Sequence, residues 1–339
     1  MTSSVNSEPR HVVVLGTGGT IAGAARDAGD ALGYTAGQIG VQALLGGISV
    51  PGVTLQAEQV ANIDSKDMDF AVWRELARRC AHWLAQDSVD GLVITHGTDT
   101  LEETAFFLHS VLPASKAVVL TCAMRPATAL APDGPQNLRD AIAVAATRGA
   151  RGVLAVCAGR VHVGAEVRKR HTYRLDAFDA GDHGLLGDVE EGRLRRLRDW
   201  PQPPADAAAR RLQAVLAAQV LPRVEILSNH AGAGGALIEL LLRERESGAA
   251  DAVQGLVLAG TGNGTLSQAL QNAALRAQQA GVAVWRSTRC AAGRVLPHAG
   301  DVLPGAGALS PAQARVALQL ALLEGEASGD GLPLPFRAP

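Results

Sequence analysis

Short apolar runs recur along this chain, separated by stretches with helical periodicity. The runs fall at 11–16, 91–95, 117–122, 152–157, 223–227, 255–260 and 282–286. They are nearly continuous in Val, Leu and Ile, the pattern of strands covered on both faces, as in a parallel sheet. Helical patterns lie at about 69–86, 100–112, 136–149, 233–249, 264–280 and 311–324. Ser310-Pro311 opens the last of these as a serine N-cap with proline at the first helical position. The alternation predicts an α/β chain: a doubly wound, mainly parallel sheet domain followed by a smaller α/β domain.

A break falls between 190 and 222. It is charged, then proline-rich at 199–204 (DWPQPP), then alanine-rich. Its composition suits a linker, giving an N-terminal domain over 1–190, a linker over 191–222 and a C-terminal domain over 223–339. The basic run at 193–198 (RLRRLR) reads as a solvated face beside it. The other irregular segment, 17–37, is built largely from small residues and begins at a strand end, where an active-site lid is expected.

Composition narrows the function classes. Thirty-one basic residues against 33 acidic ones give a formal charge of −2, which offers no reason to expect nucleic-acid or membrane-surface binding. Aromatics make up only 3%, so the core must be built from Leu, Val, Ile and Ala. No apolar run is long enough to span a bilayer. The first residues lack a basic stretch leading into an apolar one, so a cytoplasmic home is the expectation. Cys80, Cys122, Cys157 and Cys290 show neither CxxC pairing nor metal-like spacing with histidine; Cys122 and Cys157 end apolar runs, where buried thiols are expected. Neither a metal nor a cofactor is called for.

In open parallel sheets ligands sit beyond the carboxyl ends of the strands, and three polar segments follow strand-like runs here. Residues 16–23 (GTGGTIAG) bring hydroxyls beside glycines that let the backbone turn sharply and approach a ligand. Ile21 breaks the GxGxxG dinucleotide pattern, and the GK[ST] ending of a phosphate loop is absent. Residues 95–103 (THGTDTLEE) can be read as a helix start, with Thr100 and Glu103 as a capping box. The cluster His96-Gly97-Thr98-Asp99 is more polar than a cap requires, and His96 itself suits a structural place. Residues 168–171 (RKRH) read alone as a solvated basic patch, but a lysine desolvated near a threonine hydroxyl could act as a base. Residues 62–68 (NIDSKDM) suit a helix entry with Ser65 or Asp67 as N-cap. Tyr34, one of only two tyrosines, stands among small residues where packing does not demand it.

Together these segments resemble the bacterial-type L-asparaginases, including the asparaginase–glutaminases. The resemblance runs from about Val12 to Leu323. It rests on TGGTIAG at 17–23, ITHGTDTLEETAFFL at 94–108, AMRP at 123–126, DGPQNL at 133–138, DAF at 176–178, GNG at 262–264 and SPAQARVALQLAL at 310–322. It implies a two-domain amidohydrolase without cofactor, acting on L-asparagine, with weaker action on glutamine. It also implies a homotetramer of paired intimate dimers, with each active site between the N-terminal domain of one subunit and the C-terminal domain of its partner. By the same resemblance Thr20 matches the primary nucleophile and Tyr34 the lid tyrosine that helps activate it. Thr98, Asp99 and Lys169 match a second-threonine triad, and Thr17 matches a threonine not used as nucleophile. Ser65 matches a holder of the substrate α-carboxylate, Asp99 a partner of its ammonium, and Ala123 a backbone carbonyl that receives the leaving amide. Gly19, Asp64, Lys66 and Gly97 complete the substrate-binding set.

Two departures bear on the substrate. Lys66 stands where many relatives carry glutamine or another short polar or acidic side chain, and a cation there would repel an ammonium unless it turns to a carboxylate. Thr265 stands where some relatives have asparagine, and 293–301 holds no clear match for a glutamate that a partner subunit supplies in some of them. Other readings stay open at this point: a glutaminase or amidase acting on another small amide; a nicotinamide-dependent oxidoreductase, disfavoured by Ile21; and an amino-acid-binding relative with little activity, disfavoured by the intact Thr20, Thr98, Asp99 and Lys169.

Overall fold

The computed structural model describes residues 8–30, 32–202 and 205–325. The chain divides into two compact units, Met1–Ala208 and Ala209–Pro339. The first opens with β1 (Arg10–Gly18), β2 (Ala24–Ala25), β3 (Tyr34–Thr35), α1 (Val41–Leu44) and β4 (Val53–Ile63). Next come α2 (Phe70–Leu84), β5 (Gly91–Thr95), α3 (Leu101–Val111), β6 (Ala117–Thr121), α4 (Gly134–Ala145) and β7 (Gly152–Cys157). It ends with β8 (Arg160–Val163), β9 (Arg168–Lys169), β10 (Phe178–Asp179), β11 (Gly187–Glu190) and β12 (Arg193–Arg196).

Eight of these strands form one sheet in the order β12-β11-β8-β7-β6-β5-β1-β4. From β4 to β7 every pairing is parallel, and from β7 to β12 every pairing is antiparallel. Strands β5, β6 and β7 are buried at every residue, which is why their sequences read as unbroken apolar runs. The core is aliphatic, as the scarcity of aromatics requires. An exception is Trp73, which stacks on Phe107 at 4.8 Å and donates its indole N–H to Thr104 Oγ1 at 2.8 Å.

Two features of the sheet place a site. The register sets Gly16 beside Thr95, Thr95 beside Thr121, and Thr121 beside Val156, so β1, β5, β6 and β7 end in one row. The chain also passes from β1 to β4 on one side and then returns to β5 on the other. That reversal of strand order leaves a crevice at the carboxyl ends of β1 and β5.

The stretch 191–222 holds β12 and a helix, α5 (Ala205–Ala217). The basic run is thus in part an edge strand with exposed arginines. Arg195 pairs with Asp188 at 2.9 Å and Glu190 at 3.0 Å, and charge on an edge discourages pairing with another chain.

The second unit continues with β13 (Val224–Ser228), α6 (Ala236–Glu246), β14 (Gly255–Gly260), α7 (Gln268–Gln279), β15 (Ala283–Thr288) and α8 (Pro311–Leu323). Its sheet is parallel throughout, in the order β13-β14-β15. Ile238, Leu242, Leu270 and Ala273 from α6 and α7 share a core with Leu256, Leu258 and Val284 of the strands. Ser310 caps α8 as its sequence predicts: its Oγ accepts the Gln313 N–H at 3.2 Å, while Gln313 Oε1 accepts the Ser310 N–H at 3.1 Å. Among the described residues no helix is long and apolar enough to cross a membrane.

Candidate active site

The segment after β1 turns at once. Gly18 and Gly19 have φ of 103° and 82°, and Thr20 starts a single 3-10 turn, Thr20–Ala22. The segment after β5 reaches the same place. A Cβ on Gly19 would stand 2.3 Å from the Gly97 Cα, and one on Gly97 would stand 2.4 Å from Ser65 Oγ. Two glycine backbones and the Ser65 side chain therefore crowd one point, and Thr20 and Thr98 each follow one of the two abutting glycines. Gly19→Ala combines an unfavourable φ with a backbone clash. It is expected to lower the melting temperature and to cost about 100-fold in turnover, the scale of an ångström-sized misplacement of reacting groups. Thermal unfolding and initial rates on the same preparation check this.

Thr20 is buried, and its Oγ1 lies 2.6 Å from Tyr34 Oη. Tyr34 reaches it from β3, which pairs with β2 in a small hairpin, Ala25 opposite Tyr34. The hairpin segment is tied to the loop after β6: the Ala25 N–H donates to Thr128 Oγ1 at 2.8 Å and the Ala127 N–H to the Gly23 carbonyl at 3.0 Å. Thr17 is placed differently. Its hydroxyl donates to the Thr95 carbonyl at 2.8 Å and braces β1 against β5.

Lys169 Nζ bridges Thr98 Oγ1 at 2.8 Å and Asp99 Oδ1 at 2.6 Å. The lysine side chain is 19% exposed and the aspartate 55%. Residues 168–171 are therefore not a uniform solvated patch: Lys169 turns inward while Arg170 pairs outward with Asp179. Strand β9 has only two residues, so its backbone needs another anchor. Glu102 supplies it by accepting the Lys169 N–H at 2.7 Å. Burial pushes the Glu102 carboxyl up from its ordinary value, against the pull of that hydrogen bond.

Ser65 is buried in a second 3-10 turn. Its Oγ accepts the Asp99 N–H at 3.2 Å, and its carbonyl accepts the Thr100 hydroxyl at 2.7 Å. The capping box at Thr100 and Glu103 does not form, because the Thr100 hydroxyl is directed to Ser65 and makes no cap bond to α3. Nor do Ser65 or Asp67 cap a helix. Asp64 caps the 3-10 turn through the Lys66 N–H, and Asp69 caps α2 through the Val72 N–H. Lys66 Nζ lies between Asp64 at 2.9 Å and Asp67 at 3.0 Å. The hydrogen bond to Asp64, then that to Asp67, raises the pKa of this exposed ammonium. Its charge is thereby met by two carboxylates, and the repulsion expected of a lone cation beside Ser65 is relieved.

His96 is fully buried. Its Nδ1 lies 2.7 Å from the Gly97 carbonyl, and burial lowers its pKa to about 4, so it is neutral at physiological pH. Ala123, just beyond β6, packs with Ile21 and Ala22 beside the turn that carries Thr20. In the second unit the loop after β14 is held by Asn263, which accepts the Leu296 N–H at 2.7 Å. There the Thr265 hydroxyl donates to the Thr261 carbonyl at 2.9 Å. Among the described residues no cluster of His, Cys, Asp and Glu could hold a metal ion.

Two buried hydroxyls on abutting loops, each beside a distinct proton-exchanging group, form an arrangement suited to nucleophilic attack on an acyl carbon. Residues 11–202 match the N-terminal asparaginase domain, and residues 223–330 match the glutaminase/asparaginase C-terminal domain. The chain belongs to the L-asparaginase and glutaminase–asparaginase family. It is an amidohydrolase of that family. It is 37% identical to L-asparaginase 2 of Escherichia coli (strain K12), over 93% of this chain and 89% of that one. It is 34% identical to the glutaminase-asparaginase of Pseudomonas fluorescens biotype A, over 94% and 88%. A solved structure, that of a probable cytoplasmic L-asparaginase from Campylobacter jejuni, superposes with a TM-score of 0.83 at 34% identity, covering 92% of this chain and 95% of the other.

Sequence pattern alone does not reveal Glu102 as part of this framework. Its only signal is polarity inside a helix that otherwise buries apolar residues.

Proposed function

We propose that the protein hydrolyses L-asparagine to L-aspartate and ammonia, with weaker action on L-glutamine, and that Thr20 is the nucleophile. The observation that carries the proposal is the 2.6 Å contact between Thr20 and Tyr34, because a threonine hydroxyl needs a proton acceptor to attack at neutral pH. In this reading Thr20 Oγ1 attacks the side-chain amide carbon as its proton passes to Tyr34 Oη and the phenol's own proton moves on to the amide nitrogen. The tetrahedral intermediate collapses, the C–N bond breaks, and the nitrogen leaves as ammonia after gaining a proton. The aspartyl ester on Thr20 is then cleaved by water, which the Thr98–Lys169–Asp99 relay activates.

Ser65 holds the α-carboxylate and Asp99 the α-ammonium, while Gly19, Asp64, Lys66 and Gly97 line the substrate. Ala123 offers its carbonyl to the leaving amide. The same reading takes the protein as a cytoplasmic homotetramer, a dimer of intimate dimers, that needs no cofactor. Ammonia release from L-asparagine and L-glutamine at neutral pH tests the proposal. Asparagine is expected to be the faster substrate; no release from either amide would refute the hydrolase reading for this chain.

A further inference from the structure

The DGPQNL segment at 133–138 starts α4, yet its first residue does not cap that helix. Asp133 occupies the N-cap position without making a side-chain cap bond. Its carboxylate reaches back to the loop after β6 instead, where Oδ2 accepts the Met124 N–H at 2.9 Å and Oδ1 accepts the Arg125 N–H at 3.0 Å. One turn later, the buried Asn137 donates through Nδ2 to the Cys122 carbonyl at 2.9 Å and to Asp133 Oδ2 at 3.2 Å. Asn137 Oδ1 accepts the Ala158 N–H at 2.9 Å, which fixes the pair to the end of β7 as well.

Residues 122, 124 and 125 are thus held, and Ala123 lies between them. Its side chain leans on Ile21 and Ala22. Gly134 packs so closely there that an added Cβ would stand 2.9 Å from Ile21 and 3.5 Å from the Ala123 Cβ.

We infer that Asp133 and Asn137 are positioning residues that aim the Ala123 carbonyl at the leaving nitrogen, and so favour amides over esters of the same acyl group. The inference rests on the proposed function, in which that carbonyl accepts an N–H from the departing group. A carboxylate bonded to two successive N–H groups fixes the peptide planes on one side of Ala123. The carboxamide fixes the carbonyl on the other. An amide nitrogen leaving as ammonia carries protons to donate to this acceptor, whereas the oxygen of an ester leaves as an alcohol and brings no N–H to the carbonyl. Aiming therefore lowers the barrier for C–N cleavage and has little to offer C–O cleavage.

The test compares kcat/KM, which reports steps through acylation, for L-asparagine and L-aspartic acid β-methyl ester. Unmodified protein, Asp133→Ala and Asp133→Asn are measured side by side. Asp133→Ala is expected to lose about 10- to 100-fold on the amide and under about 3-fold on the ester, on the scale of a misdirected catalytic contact. Asp133→Asn keeps one acceptor oxygen and is expected to fall between Asp133→Ala and the unmodified protein, which preserves the test if the alanine variant folds poorly. An equal loss on both substrates, or a loss on neither, overturns the inference while leaving the hydrolase reading intact. No ammonia release from asparagine by the unmodified protein overturns both.

Discussion

Replacing Thr20 with valine is expected to abolish ammonia release from L-asparagine, with a fall of roughly 10⁴-fold or more in kcat and little change in melting temperature. Valine matches threonine in shape, and the position is buried, so the fold has little reason to respond. What disappears is the oxygen that forms the acyl bond; a 10⁴-fold loss corresponds to about 5 kcal/mol of barrier. Lys169→Met removes the ammonium that bridges Thr98 and Asp99 while keeping a long side chain. Its expected loss is about 10²- to 10⁴-fold, the range of a positioned proton-transfer group. Steady-state rates with melting curves on the same samples check both. Full activity in Thr20→Val would remove the nucleophile from the account.

The second large effect is on stability in acid. His96, His109 and His162 are all buried in the first unit, and burial lowers the pKa of each to about 4 from an ordinary 6.5. Neither ring nitrogen of His162 has a partner among the described residues. Between about pH 6.5 and 4 an unfolded chain binds these protons and the native one does not. Stability is therefore full above 6.5 and falls as the pH drops through that window.

Each histidine is worth about 3 kcal/mol at the bottom of the window, and three together approach the whole stability of an ordinary domain. The carboxyls of Glu102 and Asp140 act the other way, since burial raises both and native protonation then adds stability as the pH falls. Glu58 is lowered, first by its hydrogen bond to Arg79, so its contribution is present above its ordinary range and lost on further acidification. The melting temperature is expected to fall by about 10–20 °C between about pH 7.5 and about pH 5. His162→Leu is expected to flatten the slope by about a third, one histidine of three. A melting temperature unchanged across that range would contradict the burial argument.

Strands β1, β5, β6 and β7 are legible in the sequence because both their faces are covered, and unbroken Val, Leu and Ile can hardly mean anything else. Strand β4 is the counter-example. It runs for 11 residues, but it is an edge strand that alternates half-buried and exposed positions, so Gln56, Glu58 and Gln59 hide it from a search for apolar runs. Strands β8, β11 and β12, the antiparallel end of the eight-stranded sheet, are short and charged and escape for a similar reason.

In the site, the glycine turn at Thr20 and the Thr98-Asp99 pair are visible as strand-end polar clusters. The place of Lys169 is not, because it depends on Glu102, 67 residues away, holding the backbone of a two-residue strand. The Asp133–Asn137 brace is hidden likewise: a helix-start aspartate reads as a cap until its carboxylate is seen to face the loop after β6.

The central claim is a single aspartyl ester on Thr20, and partitioning to hydroxylamine tests it most directly. Turnover of L-asparagine and of L-aspartic acid β-methyl ester in the same hydroxylamine buffer is expected to give one common ratio of aspartyl hydroxamate to aspartate. Both substrates reach the same acyl-enzyme, whatever their leaving groups. Different ratios from the two substrates, or hydroxamate formed from asparagine as fast by Thr20→Val as by the unmodified protein, would contradict it.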